Sequence, residues 1–251
     1  MSVLKGEGIH PILFDTRSVP VRTRTHTVYV ARPDLAGEWP TVMLVGGAKG
    51  LSSPLRDLCR RLARHGFAAV APDLYSGAKV PADHDDAVAA FNGLDQSVVH
   101  RVLRDIGRYL DDAAGPWDTD ENGFGVIAVQ EGALNGLRTA VDFGSPLLLM
   151  APNLRESSPG LGTDFKELPA PPGVVDRIGE TVEPVLGLIG RQDEVSPMDD
   201  VMAARGNAPH SQWVIYDGTG HDFLDDNEPG FDLAAFTDAF ERTVDFLEKN
   251  L

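Results

Sequence analysis

Gly125-Val126-Ile127-Ala128-Val129-Gln130-Glu131-Gly132-Ala133-Leu134 is an apolar run, broken by two polar residues and a glycine before it resumes. The first five residues do not alternate, which fits a strand buried on both faces of a parallel sheet. Gln130 to Gly132 make a tight turn, and Ala133-Leu134 open a helix. A strand feeding directly into a helix is the building unit of α/β proteins.

The same unit recurs on either side. Thr41-Val42-Met43-Leu44-Val45 runs into Gly46-Gly47-Ala48-Lys49-Gly50, and Ser52 or Ser53 caps a helix with Pro54 in its first turn. Leu55, Leu58 and Leu62 share one face of that helix, Gly66 ends it, and Phe67 to Ala71 form the next strand. Val98, Val102, Ile106 and Leu110 mark a second helix, and Phe236, Phe240, Val244 and Leu247 mark the last one. Leu147 to Ala151, Val185 to Ile189 and Gln212 to Tyr216 read as strands. Thr25 to Ala31 alternates as an antiparallel start, preceded by an extension over 1–24. The stretch 153–183, rich in Pro, Gly and Ser, reads as a surface excursion near the site, either a pocket wall or a plain loop. The expected architecture is one α/β domain over 1–251, with a mostly parallel central sheet and helices on both faces.

Bulk composition narrows the function. Twenty-two basic against 38 acidic residues give a net charge of −16, which repels phosphate backbones and argues against nucleic-acid binding. The single cysteine, Cys59, excludes an intrachain disulfide and sits among apolar helical neighbours as a buried structural thiol. No apolar run approaches the roughly 18 residues of a membrane span, and the first residues lack a leader pattern, so a cytoplasmic location is expected by default. No metal site or cofactor is expected: the acidic run Asp222, Asp225, Asp226 and Glu228 lacks ligand spacing and reads as solvated surface.

In open parallel sheets, ligands bind beyond the carboxyl ends of the strands. Three segments place polar residues at such ends: Gln130 on the strand-to-helix turn, Asp193 after Gly190-Arg191-Gln192, and His221 after Asp217-Gly218-Thr219-Gly220. An Asp bonded to one ring nitrogen of a histidine fixes its tautomer and favours its charged form. The other histidines lack such a context and read as surface or satisfied core residues.

Three motifs match in order and spacing. Arg61-Leu62-Ala63-Arg64-His65-Gly66-Phe67-Ala68-Ala69-Val70-Ala71-Pro72-Asp73-Leu74-Tyr75, the strand Pro184 to Asp193 and the loop Tyr216 to Phe223 resemble the dienelactone hydrolases, within the α/β-hydrolase superfamily. The resemblance covers Val28 to Leu251. It implies an α/β-hydrolase fold, an Asp193–His221 pair, a small-molecule ligand or substrate, and a monomer or homodimer. Where the family carries Gly-x-Cys/Ser-x-Gly-Gly, this chain has Ala128-Val129-Gln130-Glu131-Gly132-Ala133. A carboxamide is neutral and a very poor nucleophile, so acyl-enzyme chemistry at Gln130 is not credible. With no nucleophile to present, the strained elbow backbone is expected to relax. The family's Glu in the loop after the Val42–Val45 strand corresponds to Gly47 here.

The resemblance also implies an oxyanion site built from backbone N–H groups of Gly47, Ala48 and Glu131. Tyr75 and Ser76 are expected at the pocket edge, Ser196 on the same rim, and Lys49 as a solvated loop lysine. Three functions stay open. One is a non-covalent acid–base enzyme using His221 and Asp193 for elimination, isomerisation, cyclisation or water-mediated lactone opening. Another is a ligand-binding pseudoenzyme. The third is an ester or lactone hydrolase with a displaced nucleophile, Glu131 or Ser76.

Overall fold

In the computed structural model, residues 8–111, 119–155 and 172–251 are described. The expected α/β-hydrolase architecture is present as an eight-stranded sheet in the order β1-β2-β4-β3-β5-β6-β7-β8. Its strands are β1 (Ile12–Val21), β2 (Arg24–Pro33), β3 (Trp39–Val45), β4 (Ala68–Pro72), β5 (Thr119–Val129), β6 (Leu147–Met150), β7 (Val185–Gly190) and β8 (Gln212–Tyr216). β1, β2 and β4 pair antiparallel, and the pairs from β4 through β3 to β8 are parallel. The extension read over 1–24 therefore contains an edge strand. Six consecutive residues of it, Leu13 to Ser18, are exposed, so no alternation revealed it in sequence.

Among the described residues seven helices cover the sheet: α1 (Ser53–Arg64), α2 (His84–Asn92), α3 (Gln96–Asp111), α4 (Ala133–Phe143), α5 (Val174–Arg177), α6 (Met198–Asn207) and α7 (Leu233–Asn250). Ser52 caps α1 by accepting the Leu55 N–H, with Pro54 in the first turn as expected. Side chains of β3 alternate between two cores. Val42 and Leu44 pack with α1 and α7, whereas Met43 and Val45 pack with α2, α3 and α4. Burying a Leu of this kind stabilises the fold by about 1.5–3 kcal/mol. Cys59 is fully buried in the first core, where desolvation pushes its thiol pKa well up.

Of the excursion over 153–183, residues 156–171 lie outside the described residues. Asn153, at the start of that stretch, donates its N–H to the Gln130 backbone carbonyl at 3.1 Å, tying the chain just after β6 to the elbow. Among the described residues no helix is long and apolar enough to cross a membrane.

Candidate active site

β5 ends at Val129, and the chain turns at Gln130 with φ +49° before entering α4 through a short 3-10 turn, Gln130–Gly132. The backbone strain expected to relax is retained. A non-glycine residue in this left-handed region costs about 1–3 kcal/mol unless its surroundings over-determine it. Here they do. A Cβ on Gly132 would lie 2.5 Å from the Gly46 carbonyl oxygen and 2.6 Å from that of Val45. A Cβ on Gly136 would run into the Ala128 side chain. Glycine at these positions lets α4 press against β3 and β5, and the elbow geometry holds whatever side chain sits at 130.

The acid and the histidine come together as expected. Asp193 Oδ2 lies 2.8 Å from His221 Nδ1, and Asp193 Oδ1 accepts the N–H groups of Val195 and Ser196, both at 2.9 Å. The carboxylate is fully buried. Burial by itself would lower the His221 pKa. The hydrogen bond and charge of Asp193, followed by the charges of Glu131 and Asp222, outweigh it, so the pKa is raised above its ordinary value. The other ring nitrogen, Nε2, is buried and has no hydrogen-bond partner among the described residues. A buried nitrogen left without a partner costs stability.

Gln130 does not bond to this ring. Its Nε2 donates to Asp222 Oδ1 at 3.2 Å, leaving its second side-chain N–H and its side-chain carbonyl oxygen free of any hydrogen bond to a described residue. Glu131 behaves as its backbone position did not foretell. Its side chain folds back so that Oε2 accepts the Ala48 N–H at 2.8 Å. A Cβ on Gly47 would collide with that same oxygen. The glycine at 47, read as the loss of a family Glu, thus makes room for a carboxylate arriving from 131. Ala48 lies in the loop after β3 that supplies an oxyanion donor in this fold class, so that N–H is already engaged.

Other expectations need correcting. Tyr75 is buried, and its hydroxyl donates to the Ala48 carbonyl at 2.7 Å, bracing the loop after β3 from behind. Desolvation, helped by the Glu131 charge, pushes its phenol up to about 12. Ser76 is exposed and absent from the cavity wall. Ser196 is not on a rim: fully buried, it donates to the Pro152 carbonyl at 2.7 Å and accepts the Leu154 N–H. Lys49 is not a solvated lysine. It reaches Asp225 at 2.8 Å and Glu228 at 2.5 Å, so the acidic run is partly engaged at the site. No signal local in the sequence marks these pairings, which join residues far apart in the chain.

Gln130, His221, Gly47 and Lys49 line a cavity of about 370 Å³ between α1 and α7. Its wall is largely apolar, with Leu55, Leu58, Met150, Leu224, Phe231 and Phe236. A neutral imidazole whose Nδ1–H donates a hydrogen bond to Asp193 holds a lone pair on Nε2. Once protonated, the same atom becomes a donor.

The dienelactone hydrolase family model matches residues 27–128 and 170–251. An Escherichia coli K12 protein named "Putative carboxymethylenebutenolidase" is 28% identical over 240 residues, spanning 92% of this chain and 85% of its own. "Protein usf" of Aquifex pyrophilus is 26% identical over 247 residues, spanning 95% and 97%. Among solved structures, the "Putative Dienelactone Hydrolase" of Klebsiella pneumoniae superposes with a TM-score of 0.81 at 23% identity, over 95% of this chain and 99% of that one. At that identity the superposition speaks for the fold.

Proposed function

Because the chain belongs to the dienelactone hydrolase family, we propose that it binds a small, largely apolar carbonyl, lactone or enol compound in the cavity between α1 and α7. It acts on that compound by acid–base chemistry from His221, held by Asp193, with no acyl-enzyme intermediate. The observation that carries this reading is the buried, unpartnered Nε2 of His221, a residue that lines the cavity beside an elbow presenting an amide. As base, Nε2 takes a proton from the ligand or from a water; as acid, it returns one. The spare side-chain N–H and side-chain carbonyl oxygen of Gln130 orient a polar group of the ligand.

The test is turnover of a panel of lactones, enol esters and β-hydroxy carbonyl compounds, with intact-mass analysis after a fluorophosphonate probe. The expected result is turnover lost in His221→Ala, retained in part in Gln130→Ala, and no adduct on the wild-type chain. Undiminished turnover in His221→Ala, or an adduct on the protein, rejects the reading.

A second reading, a ligand-binding pseudoenzyme, draws support from one specific observation: the Ala48 N–H is already satisfied by Glu131. Binding across the same panel with no turnover would favour it. A displaced nucleophile finds less support, since Ser76 lies off the cavity and the Glu131 carboxylate is engaged by Ala48.

A further inference from the structure

The geometry points to a neutral ligand for this cavity, with Glu131 and the Lys49 ion pairs as the features that exclude carboxylates. The inference rests on the proposed reading that this cavity is the ligand site, and adds the charge class of what enters it.

Among the described residues two cations line the cavity, Lys49 and Arg61, against four carboxylates, Asp57, Asp225, Asp226 and Glu241. Both cations are already paired with carboxylates. Lys49 is held by Asp225 and Glu228. Arg61 Nε lies 2.6 Å from Asp57, and its guanidinium sits over the Phe236 ring at 5.2 Å. At the inner end, a protonated His221 is already compensated by Asp193, with Glu131 and Asp222 acting on it as further negative charges. Behind Gly47 of the cavity wall, the Ala48 N–H carries the Glu131 carboxylate at 2.8 Å.

Glu131 thus places a negative charge just behind the cavity wall at Gly47. A ligand carboxylate would sit among a surplus of negative charge behind low-dielectric walls, where like charges repel most strongly. A neutral lactone or ester meets none of these costs. Its ring packs against the apolar wall, and its carbonyl accepts the spare side-chain N–H of Gln130, or the Nε2–H of His221 once that ring is protonated. Asp225 and Glu228 contribute by neutralising Lys49, the lysine that lines the cavity among the described residues.

Calorimetric titration of the intact protein with coumarin and with coumarin-3-carboxylate, at neutral pH and low salt, tests this with two probes of the same ring. Coumarin is expected to bind at least about tenfold more tightly, with the gap narrowing as salt shortens the roughly 8 Å screening length. Glu131→Ala, which empties the Ala48 N–H, is expected to raise carboxylate affinity selectively. Glu131→Gln keeps the shape while removing the charge, and is expected to do so in part even if the alanine variant folds poorly. The double variant Asp225→Asn, Glu228→Gln, which frees Lys49, is expected to act in the same direction. Equal or tighter binding of coumarin-3-carboxylate to the wild-type protein overturns the inference, as does failure of coumarin to bind. Binding is read without turnover, so a catalytically silent dyad would sink the acid–base reading and leave this one standing.

Discussion

His221 Nδ1 and Asp193 Oδ2 lie 2.8 Å apart, and the other oxygen of Asp193 holds the N–H groups of Val195 and Ser196. One buried carboxylate therefore fixes both the imidazole and the turn after β7. Asp193→Ala strands three donors, each costing about 1–3 kcal/mol when left unsatisfied. Urea unfolding is expected to show a loss of about 3 kcal/mol or more, and a smaller loss for His221→Ala, which frees one carboxylate oxygen.

The raised pKa of His221 sets a pH dependence with a definite sign. Folding favours the proton, so this contribution is complete below the unfolded value of about 6.5 and fades as pH rises through the higher folded value. Wild-type stability is expected to fall from about pH 6 upward through the folded value by more than that of His221→Ala. Proton NMR of the His221 ring should titrate above 6.5; a midpoint below it would contradict the structure.

The positive φ of Gln130 separates backbone strain from side-chain bonding. Gln130→Ala and Gln130→Gly both lose the bond to Asp222, but only glycine relieves the strain. Gln130→Gly is expected to be the more stable of the two by about 1 kcal/mol in chemical denaturation. Equal stabilities would mean that the elbow has relaxed.

Two glycines facing the elbow should respond differently. A methyl group on Gly132 meets backbone oxygens at 2.5 and 2.6 Å, so Gly132→Ala must move the end of β3 and is expected to cost about 1–3 kcal/mol. A methyl group on Gly47 meets the end of a flexible side chain, Glu131, with the Val129 carbonyl oxygen next at 3.1 Å. Gly47→Ala is expected to cost less. Part of its cost should vanish in a Glu131→Ala background, as a coupling of about 0.5 kcal/mol or more in a double-mutant cycle.

The strands and helices legible in sequence were those with a clean periodicity, such as the apolar run before Gln130 and the stripe of Phe236, Phe240, Val244 and Leu247. The order of Gln130, Asp193 and His221 along the chain was enough to bring the acid and the histidine together. β1 escaped because an exposed edge strand needs no apolar alternation. α6 escaped because Met198 to Asn207 carries no apolar stripe. The reach of Glu131 back to Ala48, and of Lys49 out to Asp225 and Glu228, was illegible for another reason. A side chain's partner across the fold is set by tertiary geometry, and no local pattern encodes it. The persistence of strain at Gln130 stems from Gly132 and Gly136, which shape the turn independently of its occupant.

Cys59, the single thiol of the chain, is sealed in the core between the sheet and α1 and has its ionisation pushed up by desolvation. An alkylating reagent can reach it only when that layer parts. The rate at which the native protein consumes such a reagent is thus a clock for large-scale opening, readable without introducing any label. A bound molecule that braces α1 against α7 would slow that clock.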